Sequence, residues 1–136
     1  MKPRILLIII SIVTIFFSCG KDDNGSTGPE TEPVIFNSND LVGTWEGQVG
    51  SNKSVTVTVN SSGSVEMSGG CAVIDCYWII DSSGRVTETG SGLFTENYQL
   101  WGQAWWDMQM SDDKKELDGS VLALFIGQRS VDLTKQ

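Results

Sequence analysis

The sequence predicts an all-β domain that folds as an antiparallel up-and-down meander, with a small barrel favoured and a β-sandwich as the alternative. Apolar residues alternate strictly in residues 55–59 (VTVTV), which is typical of a half-buried strand. Residues 60–65 (NSSGSV) are echoed by residues 81–86 (DSSGRV), and each copy carries the Asn or Asp and the Gly that tight hairpin turns need. Residues 112–117 are the only helix-permissive stretch, and they are short enough to form a turn. Nothing in the pattern requires a parallel crossover.

The chain begins with a basic start and a short apolar run. Residues 1–4 (MKPR) contain two cations and no acid, and residues 5–17 (ILLIIISIVTIFF) contain only two polar side chains. A helix that spans a bilayer needs about 20 apolar residues, whereas a shorter run behind a basic start is typical of a secretory signal. The alternative is an uncleaved signal anchor.

The apolar run ends in a small residue and a cysteine, Ser18 and Cys19, and residues 21–23 (KDD) are then abruptly polar. This junction resembles the lipobox of bacterial lipoproteins, although residues 16–17 (FF) depart from its commoner pattern. The resemblance implies that residues 1–18 are removed as a signal peptide and that Cys19 is acylated. Two or more acyl chains give stable anchoring. The acidic cluster is similar to a surface-export signal, so we expect a lipid-anchored cell-envelope protein, at the outer membrane on its periplasmic or surface face.

The charge balance excludes one class of partner. The chain carries 9 basic and 17 acidic residues, for a net charge of −8. Removal of residues 1–18 takes away two basic residues and no acid, so the mature charge becomes −10. An acidic chain of this kind is not expected to bind nucleic acid, or anionic headgroups, through charge.

Residues 19–39 are predicted to be the acylated cysteine and a flexible tether, because they are rich in Gly, Ser, Thr, Asn, Asp and Glu. Residues 34–36 (VIF) are the exception, and we expect them to dock on the domain as a leading edge strand. Residues 40–136 are predicted to be the antiparallel β domain, which is long enough for one small core.

Gly43 and Trp45 lie on the first predicted strand of this domain, in the tripeptide GTW. Gly-x-Trp at the start of a small antiparallel meander resembles the calycin group, which includes lipocalins, fatty-acid-binding proteins and avidins. The resemblance implies that Trp45 plugs one barrel end, with Arg129 packed over it in a cation–π contact. The domain is shorter than a lipocalin and lacks the C-terminal helix and the middle motifs, so the resemblance carries topology and no ligand. The alternative for Trp45 is a core tryptophan of an unrelated sandwich.

The residue inventory argues against an enzyme, a metal site and a cofactor. The sequence contains no histidine, so it cannot form a Ser-His-Asp or Cys-His nucleophile or an imidazole metal site. Phosphate-binding and calcium-binding loop patterns are also missing. The 17 acids offer material for a glycosidase-like carboxylate pair, but most of them lie in predicted turns.

Cys71 and Cys76 remain as an even pair once Cys19 is acylated, and in an exported chain such a pair predicts a disulfide. On one regular strand the two would lie about 16 Å apart, whereas a bridge needs Cα atoms within about 7 Å. The disulfide therefore requires residues 72–75 to form a loop or bulge. The alternative is two buried free thiols.

Residues 100–110 (LWGQAWWDMQM) divide into two faces at the strand period of two. One face is an ordinary core face. The other carries Trp101, Gln103, Trp105 and Asp107, and Tyr77 on a neighbouring strand is expected to join them. Aromatic surface beside donors and acceptors is what a small amphipathic ligand or a sugar requires. The alternative is that these indoles cover a barrel end or pack beneath the tether.

These observations predict a membrane-anchored exported lipoprotein whose β domain binds a small hydrophobic, amphipathic or saccharide ligand without catalysis. The second hypothesis is an accessory subunit that docks onto an envelope protein complex, because exposed tryptophans are frequent binding hot spots.

Overall fold

The computed structural model describes residues 31–89, 92–96 and 99–136, with the side chains of residues 99–101 excluded. The compact unit within this part of the chain spans Pro33–Gln136. The predictions for the signal peptide, for Cys19 and for most of the tether lie outside the described residues. No helix among the described residues has the length and apolar character to cross a membrane.

The described chain forms one short helix and ten strands. Their bounds are α1 (Ser38–Leu41), β1 (Gly43–Val49), β2 (Lys53–Val59), β3 (Ser64–Gly69), β4 (Cys71–Ile74), β5 (Cys76–Ile80), β6 (Arg85–Thr89), β7 (Leu93–Glu96), β8 (Gln99–Met110), β9 (Glu116–Ala123) and β10 (Gly127–Lys135).

Eight of these strands form a closed antiparallel barrel in the order β1-β2-β3-β5-β6-β8-β9-β10, with β10 returning to β1. The fold class predicted from the sequence, an up-and-down meander that closes as a small barrel, is therefore confirmed over the sandwich alternative. Closure leaves the ring without an unpaired edge, and an eight-stranded ring has an interior that side chains can fill.

The long strand β8 organises the wall of the barrel because it has different neighbours along its length. Its C-terminal part pairs with β9 over residues 104–110 and with β6 over residues 107–109. Its N-terminal part, residues 99–103, pairs with β7, and β7 pairs in turn with β4. Strands β4 and β7 thus extend the wall beside the ring.

The two related hairpin turns form as their sequences predict. The Asn60 side chain accepts hydrogen bonds from the backbone of Ser62 and Ser64, and Asp81 does the same at the second copy with Ser83 and Arg85. The glycine of each turn has the positive φ that a side chain would disfavour, +82° and +86°. Local side-chain chemistry therefore sets the register of both hairpins.

Large side chains fill the barrel interior. Trp78 and Trp106 are buried with ring centroids 5.2 Å apart, and Phe94 packs edge-on against Trp106 at 6.2 Å. Tilted and edge-to-face pairs of this kind contribute about 0.5–1.5 kcal/mol each beyond their buried area. The indole N–H of Trp106 has no hydrogen-bond partner, and that of Trp78 has none of normal geometry.

Two glycines allow neighbouring strands to approach closely. A Cβ at Gly47 would lie 1.9 Å from the carbonyl oxygen of Asp132 on β10, and one at Gly119 would lie 2.2 Å from that of Asp107 on β8. Any side chain at either site would push the strands apart, so these residues permit the tight coiling of the small barrel.

Trp45 closes one end of the barrel beneath the short helix α1. Its side chain is fully buried, and its indole Nε1 donates to the carbonyl oxygen of Leu41 at 2.9 Å. The helix begins with a capping box, in which Asn37 and Asp40 each accept a backbone hydrogen bond. This helix was not predicted from the sequence, although Asn37 and Asp40 have the spacing of such a box.

The cation over Trp45 is Lys135 and not Arg129, so the role predicted for Arg129 is wrong. The Nζ atom of Lys135 lies 5.2 Å from the centre of the Trp45 ring and donates to the carbonyl oxygen of Asp40 at 2.7 Å. Lys135 is directly opposite Trp45 in the β1–β10 ladder, whereas Arg129 lies six residues earlier on β10, or about 20 Å along the strand. Gly43 leaves room for the Lys135 side chain, because a Cβ at this position would lie 3.1 Å from the Lys135 Cε atom.

Residues 34–36 form no strand, so the prediction of a leading edge strand is wrong, but Phe36 is buried against the barrel. Lys114 lies over the Phe36 ring at 5.6 Å and donates at 3.0 Å both to the Ile35 carbonyl and to the Asp40 carboxylate. Burial alone would raise the pKa of Asp40, but hydrogen bonds from Asn37 and Lys114 lower it on balance. These contacts hold the entering chain across the Trp45 end.

Replacement of Lys135 by Met should lower the free energy of unfolding by about 1–2 kcal/mol, because the cation–π contact and the hydrogen bond to Asp40 are lost. Arg129→Met is the matched control, since it removes the same charge from the same strand. We expect it to cost less than half as much in urea denaturation. A larger loss for Arg129→Met would contradict the assignment of Lys135 to Trp45.

Candidate functional site

Over residues 103–110, β8 has one buried face and one outer face, as the sequence predicts. The inner side chains Ala104, Trp106, Met108 and Met110 are buried, whereas Trp105, Asp107 and Gln109 are exposed and Gln103 is half-buried. The side chain of Trp101, the remaining member of the predicted site, lies outside the described residues. The predicted binding residues that are described therefore lie on the outside of the barrel.

Asp107 is already engaged by a cation. Arg85 on β6 donates to both of its carboxylate oxygens, at 2.8 and 2.9 Å, in a bidentate pair. The hydrogen bond from Arg85 is the main cause of the lowered pKa of Asp107. The pair is well exposed, so it contributes little to stability, but it occupies the oxygens that a ligand would need. Asp107 is therefore held in place by Arg85 at the border of the surface and is not a free hydrogen-bond acceptor.

Tyr77 lies on the outer surface but apart from the β8 residues. It is exposed on β5, and β6 separates that strand from β8. Two strand spacings are about 10 Å. The structure thus places Gln103, Trp105 and Asp107 on one strand face and leaves Tyr77 at its margin.

Three apolar residues that the sequence analysis did not select extend this surface. Leu122 lies directly opposite Trp105 in the β8–β9 ladder, and Leu124 and Phe125 follow in the next turn. The exposed fractions are Trp105 38 %, Leu122 48 %, Leu124 55 % and Phe125 72 %. We call these four side chains the apolar patch. The sequence signal was available in residues 121–126 (VLALFI), where no polar turn residue separates β9 from β10.

Cys71 and Cys76 are both free and buried, so the predicted disulfide is not present. The condition for a bridge is not met, because residues 71–74 are the extended strand β4 rather than a loop that returns on itself. Asp75, with φ +51°, then redirects the chain into β5. The two cysteines are buried free thiols, which was the alternative to the disulfide.

The environment of each thiol keeps it protonated. Burial raises the pKa of Cys71 to about 11, and the carboxylate of Glu96 adds to the rise. Burial also raises the pKa of Cys76 to about 12, with a further contribution from Glu88, while the contact with Trp78 opposes it. Since the thiolate is the reactive form, both cysteines are chemically inert near neutral pH.

In the chain from Gly20, native protein at pH 8 should react with iodoacetamide at least about 100-fold more slowly than urea-unfolded protein, because thiolate is scarce and buried. The unfolded chain releases these protons from about pH 9 and the folded chain only near pH 11–12. The free energy of unfolding should therefore fall as pH rises through that window. Rapid alkylation of folded protein, followed by mass spectrometry, would contradict this assignment.

The described part of the chain contains no group of three or more His, Cys, Asp or Glu side chains placed to hold a metal ion. No protein-family profile, curated protein or solved structure matches the chain. The class that the structure defines is a closed eight-stranded antiparallel barrel with a filled interior and an apolar patch on its outer wall.

Proposed function

We propose that this chain is an exported lipoprotein, anchored through acylated Cys19, whose calycin-like barrel is a non-catalytic binding module. The basic start, the apolar run and the cysteine support the anchor. A tryptophan plug beneath a cation at one barrel end supports the calycin-like assignment, with Lys135 in the place that the resemblance gave to an arginine. The binding surface is the outer face of β8, centred on Trp105.

The interior of the barrel argues against an enclosed hydrophobic ligand. The inward positions are taken by buried apolar side chains, and Trp106 packs against both Trp78 and Phe94. A fatty acid or a similar chain requires an apolar cavity that buries most of its surface. Among the ligand classes that the sequence suggests, a flat amphipathic molecule on the outer wall fits the packing better.

The observation that carries the proposal is the exposed indole of Trp105 beside an amide on a sheet face. Gln103 lies two residues before Trp105 on the same outer face. On the other side, Gln128 on β10 lies opposite Leu122 and donates to the hydroxyl of Ser120 at 2.9 Å. A saccharide presents an apolar ring face and peripheral hydroxyls, so it can stack on the indole while the amides bond its rim.

A second recess lacks the aromatic component. It is an open groove of about 690 Å³ on the outer wall beside Gly47 and Gly69, lined by side chains such as Glu46, Gln48 and Thr56. Without an aromatic ring it has no flat apolar face on which a sugar can stack. This groove is the less suitable of the two surfaces.

Replacement of Trp105 by Ala should weaken binding of oligosaccharides by at least about tenfold, because the stacking surface is removed. The measurement is tryptophan fluorescence and calorimetry of the chain from Gly20 against oligosaccharides, fatty acids and small aromatic probes. Ile79→Ala removes a similarly exposed apolar side chain from β5 and is the control. Equal affinity in the Trp105→Ala and wild-type proteins would contradict the assignment.

The second candidate is an accessory subunit of an envelope complex, and the continuity of the apolar patch favours it. Trp105 and Leu122 form an exposed cross-strand pair that suits an interface anchor. A flat response across the ligand panel from folded protein, with a partner recovered from native envelope through wild type and not through Trp105→Ala, would favour this candidate.

The anchor itself can be tested separately. In a bacterial host the wild-type chain should fractionate with membranes, and its mass should equal the chain from Cys19 plus acyl groups. Cys19→Ser should abolish both the acyl mass and the lipoprotein processing. A wild-type protein that retains residues 1–18 and no acyl group would contradict the lipoprotein assignment.

A further inference from the structure

The turn between β9 and β10 is made of three apolar residues, Leu124, Phe125 and Ile126. The amide of Ile126 donates to the carbonyl oxygen of Ala123 at 3.3 Å, and Gly127 follows with φ +75°. This geometry is a three-residue hairpin loop closed by a left-handed glycine. Ile126 packs against the core, whereas the side chains of Leu124 and Phe125 are exposed. We call Leu124 and Phe125 the apolar tip.

This chemistry is unusual for a turn, and the other described hairpins show the contrast. Their turns lie at residues 50–52, 60–63, 81–84 and 111–114, and they are built from Gly, Ser, Asn, Asp and Lys. Such residues bond their own backbone or tolerate positive φ, which is why turns favour them. Leu and Phe do neither, so the backbone geometry gives no reason for the apolar tip.

The strand segments that adjoin the apolar tip carry little charge. Residues 99–106 and 119–131, which form the adjoining parts of β8, β9, the turn and β10, contain a single charged side chain, Arg129. The whole chain carries 17 acidic residues. Arg129 is held directly under the tip, where its Nη1 donates to the carbonyl oxygen of Ile126 at 2.9 Å. Two acids border this region: Glu88 accepts a hydrogen bond from the Trp106 amide, and Glu96 lines a recess with Arg129 and Lys53.

The apolar tip lies at the barrel end opposite the Trp45 plug. Strand β9 begins next to Lys114 and Lys115, near the plug, and ends at Ala123, after eight residues or about 27 Å. From the tip the patch continues along the outer wall to Leu122 and Trp105. The exposed fraction of these side chains thus decreases from the tip towards the middle of the wall, where Trp105 neighbours polar side chains.

We propose that the apolar tip inserts into the headgroup–acyl boundary of a lipid bilayer. Leu124 and Phe125 enter the apolar layer, Arg129 meets the lipid phosphates, and Trp105 stays at headgroup level, where indoles are favoured. A cation beneath two bulky exposed apolar side chains, on strand segments that contain no acid, matches a lipid surface.

The proposal rests on the proposed lipid anchor only in that the anchor holds the domain near a membrane. The 13 residues from Gly20 to Glu32 have a contour length of about 45 Å, which exceeds the length of the barrel strands. The tether is therefore long enough for the tip to reach the bilayer that holds Cys19. Insertion itself needs no acyl chain and is measured without one.

The test uses the chain from Gly20, which keeps every strand of the barrel and lacks Cys19. Binding is measured by co-sedimentation with phosphatidylcholine vesicles, and with vesicles that also contain phosphatidylglycerol. We expect saturable partition into both and no gain from the anionic lipid, because the protein carries a net charge of −10. Phe125→Ser should weaken partition about tenfold, and the double variant with Leu124→Ser about a hundredfold.

Ile79→Ser is the matched control, since Ile79 is a similarly exposed apolar side chain on β5 and away from the tip. It should change partition by no more than about twofold. Near-UV circular dichroism of each variant establishes that the barrel is folded. Wild-type protein that does not partition, or Phe125→Ser and Ile79→Ser variants that partition equally, would overturn the proposal.

A label at the tip provides the second readout. Since Cys71 and Cys76 are buried and protonated, Phe125→Cys can be labelled selectively with an environment-sensitive fluorophore. Its emission should shift to the blue with vesicles and be quenched by nitroxide lipids, unlike a label at Ile79→Cys. A shift that appears only with envelope protein and not with pure lipid would assign the tip to a protein partner and overturn insertion. The mass of the mature lipoprotein remains a separate measurement, so failure of the anchor and failure of insertion are distinguishable.

Discussion

The packing of Trp106 against Trp78 and Phe94 is the contact on which the choice of the candidate surface depends. The Trp106 ring lies 5.2 Å from that of Trp78 and 6.2 Å from that of Phe94, and all three side chains are buried. A barrel of this size either holds one small ligand or is packed with its own side chains. Because these rings occupy interior space, the binding surfaces proposed above lie on the outer wall. The same strand that supplies Trp106 presents Trp105 outward, so β8 builds both the core and the candidate surface.

The strand period of two makes the inner and outer faces of β8 predictable from the sequence. Alternation in residues 103–110 separates inner from outer side chains without any knowledge of the fold, and the turns at Asn60 and Asp81 follow from local hydrogen bonding. Such signals are contained within a few residues of chain. The predictions that failed depend instead on which residues meet across the barrel. Lys135 and Arg129 are equally plausible cations for Trp45 by composition, and only the β1–β10 register distinguishes them.

The same reasoning accounts for the cysteines and for Asp107. An even number of cysteines in an exported chain predicts a disulfide, but that number does not reveal the path of the backbone between them. Residues 71–76 run as a strand, a kink and a second strand. Asp107 looks like a free acceptor in the sequence, whereas its register with Thr87 brings Arg85 within bidentate reach. The buried thiols show that this barrel does not need a covalent bridge to close. Its closure depends on the continuous ladder around the ring, which the described strands supply through backbone pairing.

Places where a sequence departs from local structural preference, without a gain in packing, are where function is expected. Two examples among the described residues show the contrast. The first is the indole N–H of Trp106, which is buried without a hydrogen-bond partner. The packing of this ring against two other aromatic rings offsets the cost of burying that N–H. The apolar tip has no such compensation: Leu124 and Phe125 stand in a turn, where polar residues would satisfy the backbone equally well, and most of their surface is exposed. Exposed apolar surface of this extent, next to Leu122 and Trp105, is a feature that soluble monomers rarely carry without a binding role. The proposed insertion into a bilayer supplies a physical reason for the apolar tip, because it would remove those side chains from water.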